Sequence, residues 1–333
     1  MPAGDGPFLR ILSAAMTLRT AQAGAPDRTT LAAFAAVVVL GGLNGLAVKA
    51  SNIELAPFWG ATIRFAAAAA ILFAIVGLRR EALPRGRALA GSVLYGLLNF
   101  AAFFALLYWA LIDAPAGLAM VILALAPLLT IGLAAIQGLE RLRPQGVVGA
   151  LAALIGVAVV FADRVGSAVP LASALAVVGG ALAIAESSVV VKRFPRVNPA
   201  ANNAIAMTVG TAVLFILSII AGEPRTLPSH VGTWVAVGYL VILGSVTMFV
   251  LFVFVLGRWT ASAASYAILL MPLVTVPVAT VLANEPLTPA FALGGAIVLL
   301  GVYIGAIGRQ DTRLMPRTAE QAEGPVLTSP GCP

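Results

Sequence analysis

The chain has 333 residues, 61% hydrophobic and 10% charged, against about 45–50% and about 25% in an ordinary soluble domain, so it belongs in a bilayer. Its formal charge of +7 is spread between apolar runs and never gathers into a polar domain, which reads as loop charge orienting a membrane protein and not as a nucleic-acid surface. One cysteine, Cys332, and one histidine, His230, exclude a disulfide framework and a histidine metal centre. The absence of GxxxxGK, HExxH and GxSxG removes the common phosphate-cradle, zinc and serine-nucleophile chemistries, and no cofactor is called for.

Residues 1–29 contain Arg10, Arg19 and Arg28 but no apolar stretch followed by a small-residue cleavage site, so they read as a cytoplasmic N-terminal segment and not as a signal peptide. Ten apolar runs of spanning length follow, at 30–49, 57–78, 88–111, 115–137, 144–162, 170–191, 200–221, 231–256, 260–282 and 289–308. The connections are short, so successive helices are expected to be antiparallel neighbours. Residues 309–333 lack any periodic apolar pattern and read as a disordered cytoplasmic tail. Trp59, Trp109, Trp234 and Trp259 all lie near run ends, where an amphipathic ring prefers the interface.

The stretch from Ala116 to Pro144 returns in degraded form 145 positions later: Pro127 falls on Pro272, Glu140 on Glu285, Leu142 on Leu287, Gly149 on Gly294 and Gly156 on Gly301. The chain is therefore read as duplicated, with a first five-helix repeat over 30–162 and a second over 163–308. With the N-terminus inside, sixteen of the twenty Lys and Arg residues fall in cytoplasmic segments, only Lys49, Arg164 and Arg225 fall outside, and Arg64 lies within a span. Both termini are then expected in the cytoplasm. Five spans per repeat is an odd number, so the second copy must be inverted, as in many secondary transporters.

The order of these features, a small-residue segment, a mid-run proline, an apolar run, an acid, a second proline and a Gly-rich helix, resembles the repeat unit of the EamA-type drug/metabolite transporter superfamily. The resemblance covers about residues 30–308. It implies an all-α integral membrane fold of ten transmembrane helices, a central site between them, hinges at Pro127 and Pro272, and export of small metabolites from the inner membrane.

In the residues themselves, Pro127 and Pro272 each lack an amide donor and free the carbonyls of Leu123 and Ile268 at mid-membrane, where these need a protein or water partner. Glu140 and Glu285 precede helices opened by Pro144 and Pro289 and read as structural, with Thr288 an N-cap. Arg64 and Glu186 are the two ionisable residues inside spans and are functional candidates for that reason. Arg64 either fixes a helix contact through neighbouring carbonyls or binds a substrate carboxylate. Glu186 is read as a lone carboxylate that pairs across a water, carries a coupling proton or meets a substrate amine, and depth argues against a direct pair with Arg64. Asn44, Tyr95, Asn99, Met120, Ser245, Met248, Ser265 and Tyr266 complete the expected substrate lining with Glu186, and Tyr95, Asn99 and Phe103 share a helix face. The pairs Gly41-Gly42 and Gly179-Gly180 are expected at close helix contacts.

The reading is a secondary transporter that exports small amphipathic metabolites, amino acids foremost, by alternating access, with a small molecule and the lipid bilayer as its partners. The substrate class and export direction are what the resemblance implies. The alternatives are a cationic-compound exporter of the same fold and, from another class, a membrane-embedded lipid-modifying enzyme. The sequence does not assign an oligomeric state, and a monomer is compatible with it.

Overall fold

A computed structural model describes residues 27–112, 116–162, 170–283 and 288–307. The expected N-terminal segment up to residue 26, the tail, Asn284 and Glu285 lie outside the described residues. Pro26–Gly308 is one compact unit built from ten helices, whose ends fall within two residues of those read from hydropathy. They are α1 (Arg28–Ser51), α2 (Pro57–Leu78), α3 (Arg87–Ala110), α4 in two pieces (α4a, Ala116–Leu123; α4b, Ala126–Ile136), α5 (Pro144–Val160), α6 (Leu171–Arg193), α7 (Pro199–Ile220) and α8 (Val231–Arg258). The ninth is in three pieces (α9a, Ala261–Ser265; α9b, Ala267–Leu270; α9c, Pro272–Ala283), and α10 is Pro289–Val302 continued by the turn Tyr303–Ile307. Among the described residues nine stretches are long and apolar enough to cross a membrane, and α5 is shorter, at 17 residues.

Local chemistry sets the helix starts. Proline opens α2, α5, α7 and α10, where its fixed φ suits the first turn and its missing N–H costs nothing. Side chains of Asp27, Asn198, Thr260 and Thr288 cap α1, α7, α9 and α10. The break in α4 and the second of the two breaks in α9 come just before Pro127 and Pro272, as expected of a residue that cannot donate to the helix ladder. A feature absent from the sequence reading is a π-helical turn at Leu97–Ala102 in α3 and another at Ile242–Thr247 in α8. They are separated by the same 145 positions that relate Pro127 to Pro272, so the duplication is written into backbone irregularity as well as into residues.

Counterpart helices of the two halves pack on each other: α2 on α7, and α5 on α10. In the second pair Gly149 lies against Gly301 and Gly305 while Gly156 lies against Gly294 and Val298, a reversed order that makes the two helices antiparallel. A Cβ at Gly156 would stand 2.7 Å from the Gly294 carbonyl oxygen and 2.7 Å from the Val298 nitrogen, so backbone meets backbone here with no room for a side chain. The other six helices form two groups, α3, α4 and α6 around α6, and α1, α8 and α9 around α1. Between them an aromatic cluster holds Phe65, Phe100, Phe104 and Phe249, with Phe100 at 4.7 Å from Phe249 and 5.1 Å from Phe65 in edge-on geometry. Such pairs contribute about 0.5–1.5 kcal/mol each beyond area burial.

Three expectations need correction. Successive helices are not neighbours throughout, since α1 packs on α8 and α9, and α6 on α3 and α4. Trp109 and Trp234 are about half exposed, as interfacial rings should be, but Trp259 is buried and packs edge-on against Phe34 at 5.4 Å. It follows Arg258 directly, where α8 turns into α9, and the turn folds its ring inward. The glycine pairs also differ: a Cβ at Gly42 would meet the Met271 carbonyl at 2.8 Å, whereas at Gly180 the nearest atom lies 3.6 Å away. Only the first pair is required for close approach.

Candidate functional site

The residues singled out from sequence separate into three places. The first surrounds the π-turn of α8. Arg64, two turns into α2, is buried, donates from Nε to Ser245 Oγ at 2.6 Å and from Nη2 to the Gly244 carbonyl at 2.8 Å, and has its guanidinium carbon 4.9 Å from the Phe65 ring centre. Asn44 of α1 donates Nδ2 to the same Gly244 carbonyl at 3.1 Å and to Met248 Sδ at 3.4 Å. The widened turn presents that carbonyl sideways to two other helices, and π-turns recur at functional sites for such reasons. Of the two roles left open for Arg64, a helix contact through a neighbouring carbonyl is present. No carboxylate pairs with it among the described residues.

The second place lies between α3, α6 and α7. Ser92 Oγ donates to Asn202 Oδ1 at 2.8 Å, Ser187 Oγ donates to Asn99 Oδ1 at 3.2 Å, and Asn203 Nδ2 donates to the Phe249 carbonyl at 3.1 Å. Tyr95 Oη, Asn99 Nδ2, Asn202 Nδ2 and Asn203 Oδ1 are buried without a hydrogen-bond partner. Unmet groups of this kind in a core call for water or ligand. The adjacent pair Asn202-Asn203 escaped the sequence reading, because one turn after Pro199 it looks like the polar start of a span.

The third place is the end of the bundle that carries Arg79, Arg80, Lys192, Arg193 and Arg258, here the basic end. Glu140 accepts from the N–H groups of Ala261 at 2.6 Å and Ser262 at 3.3 Å and from the Ser262 hydroxyl. Its structural role is thus exercised on the N-terminus of α9, not on its own following helix α5. Lys192 Nζ donates to the Trp259 carbonyl. Glu186 is not the lone carboxylate expected: Gln137 Nε2 donates to its two oxygens at 2.9 and 2.8 Å, and Gln137 Oε1 accepts from Arg193 at 3.1 Å. Gln137 was missed because it is the last residue of the fourth apolar run, where a polar side chain is ordinary. An open groove lined by Ala135 and Gly138–Leu142 lies beside this end, away from the polar centre.

Ser265 and Tyr266 do not join a lining in this arrangement. Ser265 donates back to the Ser262 carbonyl at 2.7 Å, and Tyr266 donates to the Gly146 carbonyl of α5 at 2.6 Å, with its ring against Gly305 of α10. Met120 is partly buried against the cluster that holds Leu107, Leu123 and Val177. At the opposite end two carboxylates tie connections together. Glu223 accepts from the Phe58 and Trp59 N–H groups at 3.0 and 2.8 Å, and Glu54 accepts from Ser229, His230 N–H and His230 Nδ1. The hydrogen bonds from Ser229, then Thr233, hold the Glu54 carboxyl well below the usual carboxylate range.

Known proteins bear on what this arrangement does. The chain is 30% identical over 281 residues to the probable terminal-alkyne amino-acid exporter of Streptantibioticus cattleyicolor, covering 83% of this chain and 89% of that protein. It is 27% identical over 278 residues to the uncharacterized inner membrane transporter YedA of Escherichia coli, covering 83% and 90%. A crystal structure with 23% identity superposes with a TM-score of 0.74 over 84% of this chain and 96% of that one, which shows the fold. The sequence profile of the EamA-like transporter family matches residues 28–162 and again 171–306, so the chain is a multi-pass membrane protein with duplicated halves and belongs to the EamA-like transporter family.

Proposed function

We propose that the protein is a secondary carrier exporting small amphipathic metabolites, amino acids foremost, across the inner membrane by alternating access, with repeats over 30–162 and 163–308 and with the basic end and both termini in the cytoplasm. The observation that carries the mechanism is where the two helix groups meet. At the basic end α9a packs on α4b and α6, and α8 packs on α6, with Glu140 and Lys192 reaching across. At the opposite end, among the described residues, α9c packs on α1 and α4a on α6, each within its own group. A bundle tied at one end and divided at the other supports a carrier resting with its cytoplasmic side closed.

Amino acids are favoured by the exporter to which the chain is similar, and by a centre that, among the described residues, offers one buried cation and several amide and hydroxyl groups but no cluster of bases. The engagement of Glu186 by Gln137 weighs against a free carboxylate awaiting a cationic solute. Purified protein in proteoliposomes, assayed with a panel of labelled amino acids, tests the reading. Saturable, protein-dependent flux is expected, and its absence for every amino acid refutes the substrate class.

A further inference from the structure

We infer that Arg64 and Asn44 form one zwitterion subsite on the π-turn of α8, where Arg64 takes the carboxylate and Asn44 Oδ1 the ammonium of an α-amino acid. The inference rests on the proposed export of amino acids and names the residues that would recognise them.

Three observations carry it. Arg64 is 3% exposed, and its guanidinium uses Nε and Nη2 on Ser245 and Gly244, so part of its five-donor fork remains. No carboxylate answers the charge among the described residues, although a cation buried at this depth is retained mainly where it is paired or used. Second, the Asn44 amide is oriented by its Nδ2 bonds to Gly244 and Met248, which leaves Oδ1 buried and without a donor. An unfilled acceptor beside an unanswered cation is the complement of a zwitterion. Third, both side chains bond the same carbonyl oxygen, at 2.8 and 3.1 Å, so their bonding nitrogens lie within about 6 Å of each other. The remaining Arg64 donors and Asn44 Oδ1 belong to these same two head groups, so one α-amino acid can reach both.

The placement also links occupancy to movement. Arg64 belongs to α2, which packs on its counterpart α7, whereas Gly244 and Ser245 belong to the group of α1, α8 and α9. A substrate carboxylate competing for the Arg64 fork loosens the bonds that hold α8 to α2. Phe65 and Phe104, at 4.9 and 5.8 Å from the guanidinium carbon, wall the site with rings and leave the variable part of the substrate an apolar environment.

The test uses proteoliposomes of the full chain and whichever neutral amino acid shows saturable flux. Competition is measured with that amino acid, its carboxamide, which lacks the carboxylate, and its N-acetyl derivative, which lacks the ammonium. Each analogue is expected to compete at least about tenfold more weakly, since a site built to bond a group rejects a ligand without it. Two variants locate the effect. Arg64→Gln is expected to abolish the preference for the acid over the carboxamide. Asn44→Asp, which supplies the missing carboxylate from the chain itself, is expected to raise the melting temperature while removing the amino-acid-dependent thermal shift. Because Asn44→Asp should fold well, the inference does not depend on the stability of Arg64→Gln. Equal competition by the carboxamide, or wild-type amino-acid affinity in Asn44→Asp, overturns the subsite and leaves amino-acid export standing. Saturable flux of no amino acid removes the export reading and the subsite with it.

Discussion

Replacing Glu140 by alanine should open the basic end of the carrier. Its carboxylate, contributed by the α4–α5 connection, accepts two backbone N–H bonds and one hydroxyl bond from the first turn of α9, and so joins the two helix groups. Hydrogen bonds to a charged group contribute about 1.5–3 kcal/mol each. The side chain is half-buried, so solvent competes, and the bond at 3.3 Å is weak. Roughly 2–3 kcal/mol is therefore a reasonable total for the closed arrangement, which corresponds to a shift of about 30- to 150-fold in the balance of the two states. The assay is cysteine labelling in a Cys332→Ser background. Ser265→Cys, buried at 2% in the closed seam, should react with an impermeant maleimide from the cytoplasmic side far faster once Glu140 is removed. Met120→Cys, in the α4 half nearer the other face, should react more slowly from outside. The reciprocal change separates a shift of population from mere fraying of α9, which would raise the first rate and leave the second alone. If neither rate changes, Glu140 is not a tie between the groups.

Four further outcomes are expected. Gly156→Val should prevent stable folding or lower the melting temperature steeply, because the new side chain meets backbone atoms of α10 at 2.7 Å and neither helix can yield; a wild-type melting curve would contradict the seam. Glu54→Gln should lower the melting temperature throughout pH 5–8. The folded carboxyl titrates below its unfolded value of about 4.3, so its contribution is present above that value and fades only as the medium becomes strongly acid; a gap between mutant and wild type that closes near neutrality would refute this. Glu186→Gln should keep its response to an imposed pH step in proteoliposomes, because the carboxylate is already engaged by Gln137; loss of acceleration by the gradient would make it the proton site. Ser229→Cys, exposed in the α7–α8 connection, should label with an impermeant thiol reagent in intact cells, and labelling only after permeabilisation would overturn the orientation.

Hydropathy made the ten helices legible because spanning length and apolar content are local properties of the chain. The breaks near Pro127 and Pro272 were legible for the same reason, since a missing N–H acts on its own helix. What could not be read were partners chosen by tertiary packing. Glu140 looked like a dipole partner for the helix after it, yet it binds the start of α9, 121 positions away. Glu186 looked unaccompanied because Gln137 lies 49 positions earlier. The π-turns carry no propensity signal: LLNFAA and ILGSVT read as ordinary apolar helix, and the extra residue is accommodated only because neighbouring helices supply partners. For the same reason Asn44 and Arg64 were separate candidates in the sequence, and their common attachment to the Gly244 carbonyl emerged only in three dimensions.

The pairing of α1 with α8 and α9, and of α6 with α3 and α4, means that each half lends one helix to the other, as in an exchange of segments between two subunits fused into one chain. A cost in biogenesis follows. α1 is made before the other nine described helices, yet its packing partners begin with α8, about 200 residues later, which at roughly 5–20 residues per second is a wait of about 10–40 s. Throughout that interval Asn44 and the bare surface of Gly41 and Gly42 face lipid or whatever escorts nascent helices. Separately expressed halves should accordingly be poor at folding alone and should recover function only when made together, each completing the other's bundle.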